Sequence, residues 1–210
     1  MFQVAPQQRA IKGRYLVLGA LSRGKVGAVY RVRDQQSNQE YALKELTEIA
    51  LLTSDEKRLA RVRFQEQATL WASLAHRSLP RPLETFSTTD RHYLLMPLIN
   101  GWNLSQLIQR ATLPLDEEII RNWGAQLAEL LAYLHQQQPA LVLGDLKPEH
   151  VMVTRGGLVQ LVDFGLTRLF LPEREADFRF APVSPYIAPE LRTAAPTPAA
   201  DFYSIGALLY

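Results

Sequence analysis

Apolar residues change their period along this chain, and that change restricts the architectures open to it. Across RYLVLGAL, GAVYRVRD and QEYALKEL (residues 14–21, 27–34 and 39–46) they alternate with polar residues, as in strands with one buried face. The alternation predicts a three-strand meander with a glycine-bearing first turn. Residues 53–76 read as one long helix with Leu59, Val62, Leu70 and Leu74 as its apolar positions, and PLETFSTT and HYLLMPL add two strands, five in all. Beyond Asp116, a residue type that caps helix N-termini, Ile119, Trp123, Leu127, Leu130, Leu131 and Leu134 recur at helical spacing. The expected fold class is therefore α+β. Pro97, Asn100 and Gly101 interrupt the pattern, so the boundary is expected there, with a strand-rich part over residues 1–97 and a mainly helical part over 98–210. The second part continues with the loop LVLGDLKPEH and a hairpin of VMVT and LVQLV turning at Arg155, Gly156 and Gly157. A proline-rich stretch over 166–198 follows, then a last helix in AADFYSIGALLY.

Composition excludes several functions. With 210 residues, 47% of them hydrophobic, the chain can bury a sizeable core. Lys plus Arg number 23 against 21 Asp plus Glu, a net charge of +2, which argues against a dedicated nucleic-acid binder. The absence of cysteine excludes disulfides and thiolate metal sites and fits a reducing compartment. No stretch approaches the roughly 20 apolar residues of a membrane span, and the first residues lack the pattern of a secretory signal. A cytoplasmic domain without membrane partners is expected.

Four short motifs carry the chemistry. SRGKVGAV (22–29) lies between two strands, where Gly24 and Gly27 would let backbone amides approach phosphate oxygens; taken alone it is a plain hairpin turn. YALKEL (41–46) sets Lys44 in an apolar alternation, and alone Lys44 is a solvated strand lysine. LGDLKPEH (143–150) brings Asp145 and Lys147 into one loop, and DFG follows at Asp163. APE at 188–190 and DFYSIG at 201–206 complete the series.

In this order and at these separations, the motifs resemble the protein kinase superfamily, most closely its bacterial Ser/Thr type, from about residue 14 to the end. The resemblance implies a bilobal fold, ATP with Mg²⁺ or Mn²⁺ as cofactors, and a protein substrate. It implies that Asp145 accepts the substrate hydroxyl proton, Lys147 neutralises the transferring phosphate, Asp163 holds the metal and Lys44 contacts the α- and β-phosphates. By the same matching, Leu21, Val29 and Ala42 form the roof of an adenine slot, Met152 its floor and Met96 its gatekeeper. Pro97, Leu98 and Ile99 form the hinge, with the Ile99 N–H facing the ring.

Several positions depart from the pattern. Ser22 stands at the first loop glycine, a mild change. Gln67 falls where a glutamate pairs with the strand lysine, and Glu66 lies about 100° round the helix from it. A neutral hydrogen bond contributes about 0.5–1.5 kcal/mol against about 1.5–3 for a charge-assisted one, so the change is expected to cost about tenfold in rate. His150 replaces the second metal-binding asparagine, which would weaken Mg²⁺ or shift preference toward Mn²⁺; otherwise it is a histidine filling space beside the loop. Leu143 and Gly144 replace His and Arg, which implies control without activation-loop phosphorylation, and Val183 stands where a substrate-docking threonine is usual. The helices that follow the Asp201 helix in the family are absent, which implies a partner, or the rest of a longer chain, covering that lobe. Two alternatives remain beside the active kinase: a pseudokinase scaffold that binds nucleotide or a partner, and a small-molecule kinase of the aminoglycoside or choline kind, to which Gly144–Asp145 bears some likeness.

Overall fold

The computed structural model describes residues 9–23, 27–47, 53–88, 91–112, 114–163, 168–169, 184–193 and 197–210. Gly24, Val183 and the Phe164–Gly165 part of DFG lie outside them. The chain divides into two units. One comprises Met1–Ala75 with Pro80–Ile99, the other His76–Leu79 with Asn100–Tyr210.

The first unit is an antiparallel sheet with one helix. Its strands are β1 (Ala10–Ile11), β2 (Tyr15–Arg23), β3 (Gly27–Asp34), β4 (Glu40–Thr47), β5 (Glu84–Ser87) and β6 (Arg91–Pro97), in the spatial order β1-β2-β3-β4-β6-β5. The sequence foretells five of these; the sixth, β1, is two residues long, too short to show a period. Ile11, Tyr15, Val32, Leu43, Phe86, Tyr93 and Leu95 bury one face as a core. The sheet curls until its ends meet. Tyr15 stacks on Phe86 with centroids 5.7 Å apart, its hydroxyl donates to Glu84 Oε2 at 2.5 Å, and Lys12 Nζ donates to Glu84 Oε1 at 3.1 Å. Arg14 adds a bidentate pair with buried Asp34, at 2.9 and 2.8 Å, and holds that carboxyl well below the usual carboxylate range.

Helix α1 (Ser54–Ser73) covers the opposite face of the sheet, and the Phe64 ring approaches the His92 ring of β6. Its buried row is Phe64, Ala68 and Trp71, and Leu74, just beyond the helix, is buried as the sequence predicts. Val62 is exposed and Leu70 only half-buried, while the Leu59 side chain is outside the described set. The i, i+4, i+7 row carrying two aromatics hides more apolar area than the leucine row, so burial selects it.

The second unit is mainly helical. It contains β7 (Gly101–Asn103), α2 (Leu104–Arg110), α3 (Glu117–His135), β8 (Leu141–Val142), β9 (Val151–Thr154), β10 (Val159–Leu161), β11 (Arg168–Leu169) and α4 (Pro198–Leu209). Asp116 caps α3 by accepting from the Glu118 and Ile119 amides, as its residue type predicts. Leu127, Leu130, Leu131 and Leu134 are buried, whereas Ile119, in the first turn, is exposed. At Gly124 a Cβ would come within 2.9 Å of Leu209 Cδ1, so α3 and α4 pack at glycine distance. The outer side of α4 leaves Phe202 and Tyr203 exposed. Strands β9 and β10 form the foreseen hairpin, and β7 pairs with β9 on its other side. No helix among the described residues is long and apolar enough to cross a membrane.

Residues His76–Leu79 belong to this unit through specific bonds. Ser78 O accepts from Leu161 N at 2.9 Å, Arg77 pairs with Glu129 at 2.6 Å, and the His76 ring lies 5.1 Å from that of Tyr133.

Candidate active site

The loop after β8 is held from below by one carboxylate. Asp201, in the first turn of α4 and fully buried, accepts from Leu143 N at Oδ2 and from Gly144 N at Oδ1, both at 2.9 Å. His135 Nε2, at the end of α3, donates to Oδ2 at 2.8 Å. Gly144 has φ +68°, a left-handed conformation that glycine takes without strain. A glycine at 144 therefore has a backbone reason, which reading it only as a missing arginine overlooks.

Asp145 and Lys147 stand next along this loop. Asp145 is buried, and Lys147 Nζ donates to its Oδ2 at 3.3 Å. The other oxygen, Oδ1, is buried and has no hydrogen-bond partner among the described residues. A buried, unpartnered carboxylate oxygen is costly and is kept where a donor from outside the protein completes it. Pro148 begins a 3-10 turn over Pro148–His150, which bends the chain back. His150 Nδ1 donates to the Asp145 carbonyl at 2.9 Å, and His150 N donates to Lys147 O at 2.9 Å. Val162 N in turn donates to His150 O at 2.9 Å, which brings Asp163, the next residue, beside the loop. Burial pushes the His150 imidazolium below its ordinary pKa, and the nearby charges of Asp163 and Asp145 only partly oppose this.

These residues suit a divalent cation and phosphate. Asp145 and Asp163 supply hard oxygens, and among the described residues no trio of His, Cys, Asp or Glu forms a protein cage for a metal. Mg²⁺ fits such a place, because it is held through one or two carboxylates while substrate phosphates and water fill the remaining positions.

The other predicted residues lie mostly in the first unit. Register places Val29 opposite Lys44, Lys44 opposite Leu94 and Ala42 opposite Met96, so Val29, Ala42, Lys44 and Met96 share the sheet face that α1 covers. Lys44 is half-buried there. Gln67 is half-buried on the inward side of α1, whereas Glu66 is exposed. Leu21 sits at a bulge in β2 and is 51% exposed. Gly27 packs against β4 so closely that a Cβ would lie 2.0 Å from Glu45 O, a contact only glycine permits. Pro97 ends β6, and Ile99 is half-buried beyond it. Met152 is half-buried on β9, in the second unit.

Two residues escaped the sequence reading. His135 follows the apolar row of α3 by one position, and nothing local marks it as a partner of Asp201. Glu45 had a signal that went unused. It continues the inward row of Tyr41 and Leu43, and a carboxylate there needs partners. It is 3% exposed, with Arg91 Nη1 at 2.6 Å and Arg9 Nη2 and Tyr30 Oη each at 3.5 Å. Burial alone would raise its pKa, but hydrogen bonds from Arg91 and Tyr93 outweigh burial and hold it below the usual range.

Comparison with known sequences agrees with this geometry. The family described as the protein kinase domain matches residues 15–210. The chain belongs to the protein kinase family. Among curated relatives, ribosomal protein S6 kinase alpha-2 of Homo sapiens is 29% identical over 195 residues, covering 92% of this chain and 26% of its own length. The putative ribosomal protein S6 kinase alpha-1 of Caenorhabditis elegans is likewise 29% identical over 195 residues, with 92% and 24% covered. Serine/threonine-protein kinase Sgk1 of Danio rerio is 30% identical over 194 residues, with 92% and 43% covered. This kinase chain thus spans less than half the length of each of these relatives. Its curled antiparallel sheet and its helical second unit are those of the kinase fold. These three relatives are eukaryotic, and they do not single out the bacterial type that the sequence motifs resemble.

Proposed function

We propose that this chain transfers the γ-phosphoryl group of ATP to Ser or Thr hydroxyls of a protein. The observation that carries the reading is the buried, unpartnered Asp145 Oδ1 beside Lys147. The substrate hydroxyl donates to Asp145 Oδ1, which orients it and takes its proton as the oxygen bonds to the γ-phosphorus and ADP leaves. Lys147 stands against the charge that builds on the phosphoryl oxygens. The Asp201 bonds to Leu143 and Gly144 hold the backbone that carries Asp145. Lys44 takes the α- and β-phosphates, and Val29, Ala42 and Met96 supply an apolar face for adenine. A divalent cation on Asp163 would neutralise phosphate charge when bound. Gln67, in place of an acidic partner for Lys44, makes the rate about tenfold lower than a charge-assisted pair would give. The cysteine-free composition supports a reducing location such as the cytoplasm.

The test is transfer of label from γ-labelled ATP to a generic protein substrate, with Asp145→Asn as control. Labelling by the native chain that drops at least about a hundredfold in the variant supports the reading. Equal labelling by both overturns it. Gln67 also favours one second reading, a scaffold that binds nucleotide without transfer, and nucleotide binding with no labelling would select it.

A further inference from the structure

Asn100 and Gly101, where the apolar pattern of the sequence breaks, carry a chemistry that phosphoryl transfer does not use. Asn100 is exposed, and its carboxamide makes no hydrogen bond among the described residues. Its main-chain carbonyl accepts from Arg155 N at 3.3 Å, a long bond. Antiparallel partners alternate between pairs joined by hydrogen bonds and pairs that are not. Asn100 and Arg155 are joined, so Gly101 and Thr154, the next pair in register, are not. Thr154 agrees: its amide donates to Leu158 O and its carbonyl accepts from Gly157 N, both on the β10 side. The Gly101 N–H therefore points away from β9. Since β7 is the edge of the order β10-β9-β7, no strand among the described residues receives it. Packing requires glycine here, because a Cβ would run into Val153 O. The fold thus keeps, next to an exposed asparagine, the residue type whose amide no side chain shields.

We propose that Asn100 is a site of spontaneous covalent modification, in which the Gly101 nitrogen attacks Asn100 Cγ and the residue ends as aspartate or isoaspartate. The bond from Gly101 N to Cγ forms, the bond from Cγ to Nδ2 breaks, and the proton lost by Gly101 N to solvent is made good on the departing ammonia. Water then opens the five-membered imide at either carbonyl, and nothing is oxidised or reduced. The reaction quickens with pH, because the attacking nitrogen must shed its proton. Only the long bond from Arg155 has to open for Asn100 to turn its side chain toward Gly101 N. Both products place a carboxylate at the first residue of the 100–210 stretch. The isoaspartyl product also inserts the side-chain methylene into the main chain, so that Asn100 O and Trp102 can no longer meet Arg155 and Val153 in the present register. It is a substrate for an enzyme of stated chemistry, one that methylates the free α-carboxylate of isoaspartate. The proposal stands apart from phosphoryl transfer and does not depend on it.

The experiment incubates the folded full chain in water enriched in heavy oxygen at mildly alkaline pH and maps the new carboxylates by tandem mass spectrometry, with fragmentation that separates aspartate from isoaspartate. Asn38, Asn103 and Asn122 precede Gln39, Leu104 and Trp123 and serve as internal controls; Asn38 is exposed, as Asn100 is. The expected result is heavy oxygen at residue 100, isoaspartate among its products, and conversion at least about tenfold faster than at Asn38. Asn100→Gln, whose longer side chain would have to close a six-membered ring, should take up almost no label at that position. Gly101→Ala is not the variant of choice, since its Cβ collision with Val153 O could unfold the strand. Amide exchange at Arg155 should be faster in the isoaspartyl product than in the native chain. Conversion no faster than at Asn38 overturns the proposal. So does label that enters residue 100 only once urea has unfolded the chain, because β7 then protects Asn100 instead of exposing it.

Discussion

Replacing Asp201 by asparagine changes the charge of one fully buried side chain and almost nothing of its shape. The native carboxylate accepts three bonds, from Gly144 N at Oδ1 and from Leu143 N and His135 Nε2 at Oδ2. An asparagine amide can keep only one oxygen. In its better orientation it accepts from Leu143 and His135 and turns its NH₂ toward the Gly144 N–H, so that two donors face each other. One charge-assisted bond is then lost, a donor is left unsatisfied and the two remaining bonds become neutral, which together cost about 3–5 kcal/mol. The penalty falls on the backbone just before Asp145. Amide hydrogen exchange at Leu143 and Gly144 reports it locally, and at 1.4 kcal/mol per tenfold the exchange should quicken by about a hundredfold or more. Urea unfolding followed by Trp123, on α3, reports it for the unit. The proposed phosphoryl transfer should fall with the loop, while the proposed nucleotide binding changes little. If Asp201→Asn leaves both amides as protected as in the native chain, Asp201 is not what holds the loop.

Two more predictions concern the first unit. Glu45→Gln converts the 2.6 Å bond with Arg91 into a neutral one and should destabilise the unit by about 1–2 kcal/mol, read from the urea midpoint by Trp71 fluorescence; a shift below measurement error would contradict the role given to this carboxylate. Asp34, Glu84 and Glu45 all have folded pKa values below their unfolded ones. The stability they contribute is complete above the unfolded carboxylate range of about 4 and is lost as pH falls through the folded values. The urea midpoint should therefore be level from neutrality to about pH 5 and drop below about pH 4; a midpoint that rises on acidification would mean that these carboxylates do not stabilise the fold.

Elements that carry their own signal were legible in the sequence. The strands from Tyr15 to Thr47 show alternation, α3 shows both a cap and a row, and the hairpin at Arg155 to Gly157 has turn residues. Strands β1, β7, β8 and β11 are two or three residues long, and only their partners define them. The motifs located Asp145 and Lys147 in one loop, because these are neighbours in the chain. They could not foresee the unpartnered state of Asp145 Oδ1 or the bond from His150 to the Asp145 carbonyl, which depend on how the 3-10 turn closes. The buried side of α1 is set by the Phe64 and Trp71 rings, whose area outweighs that of Val62 and Leu70 on the face the aliphatic spacing predicts. His135 was out of reach, since its partner is 66 residues away.

The assignment of residues 76–79 to the second unit means that the chain passes from one unit to the other three times. No single cut therefore yields either unit whole. A fragment starting at Asn100 would lack the carbonyl that receives Leu161 N and the guanidinium that meets Glu129. A fragment ending at Ile99 would carry that four-residue segment without the surface it bonds to. Dissecting this protein calls for a circularly permuted or co-expressed design, in which the short segment stays with its own unit.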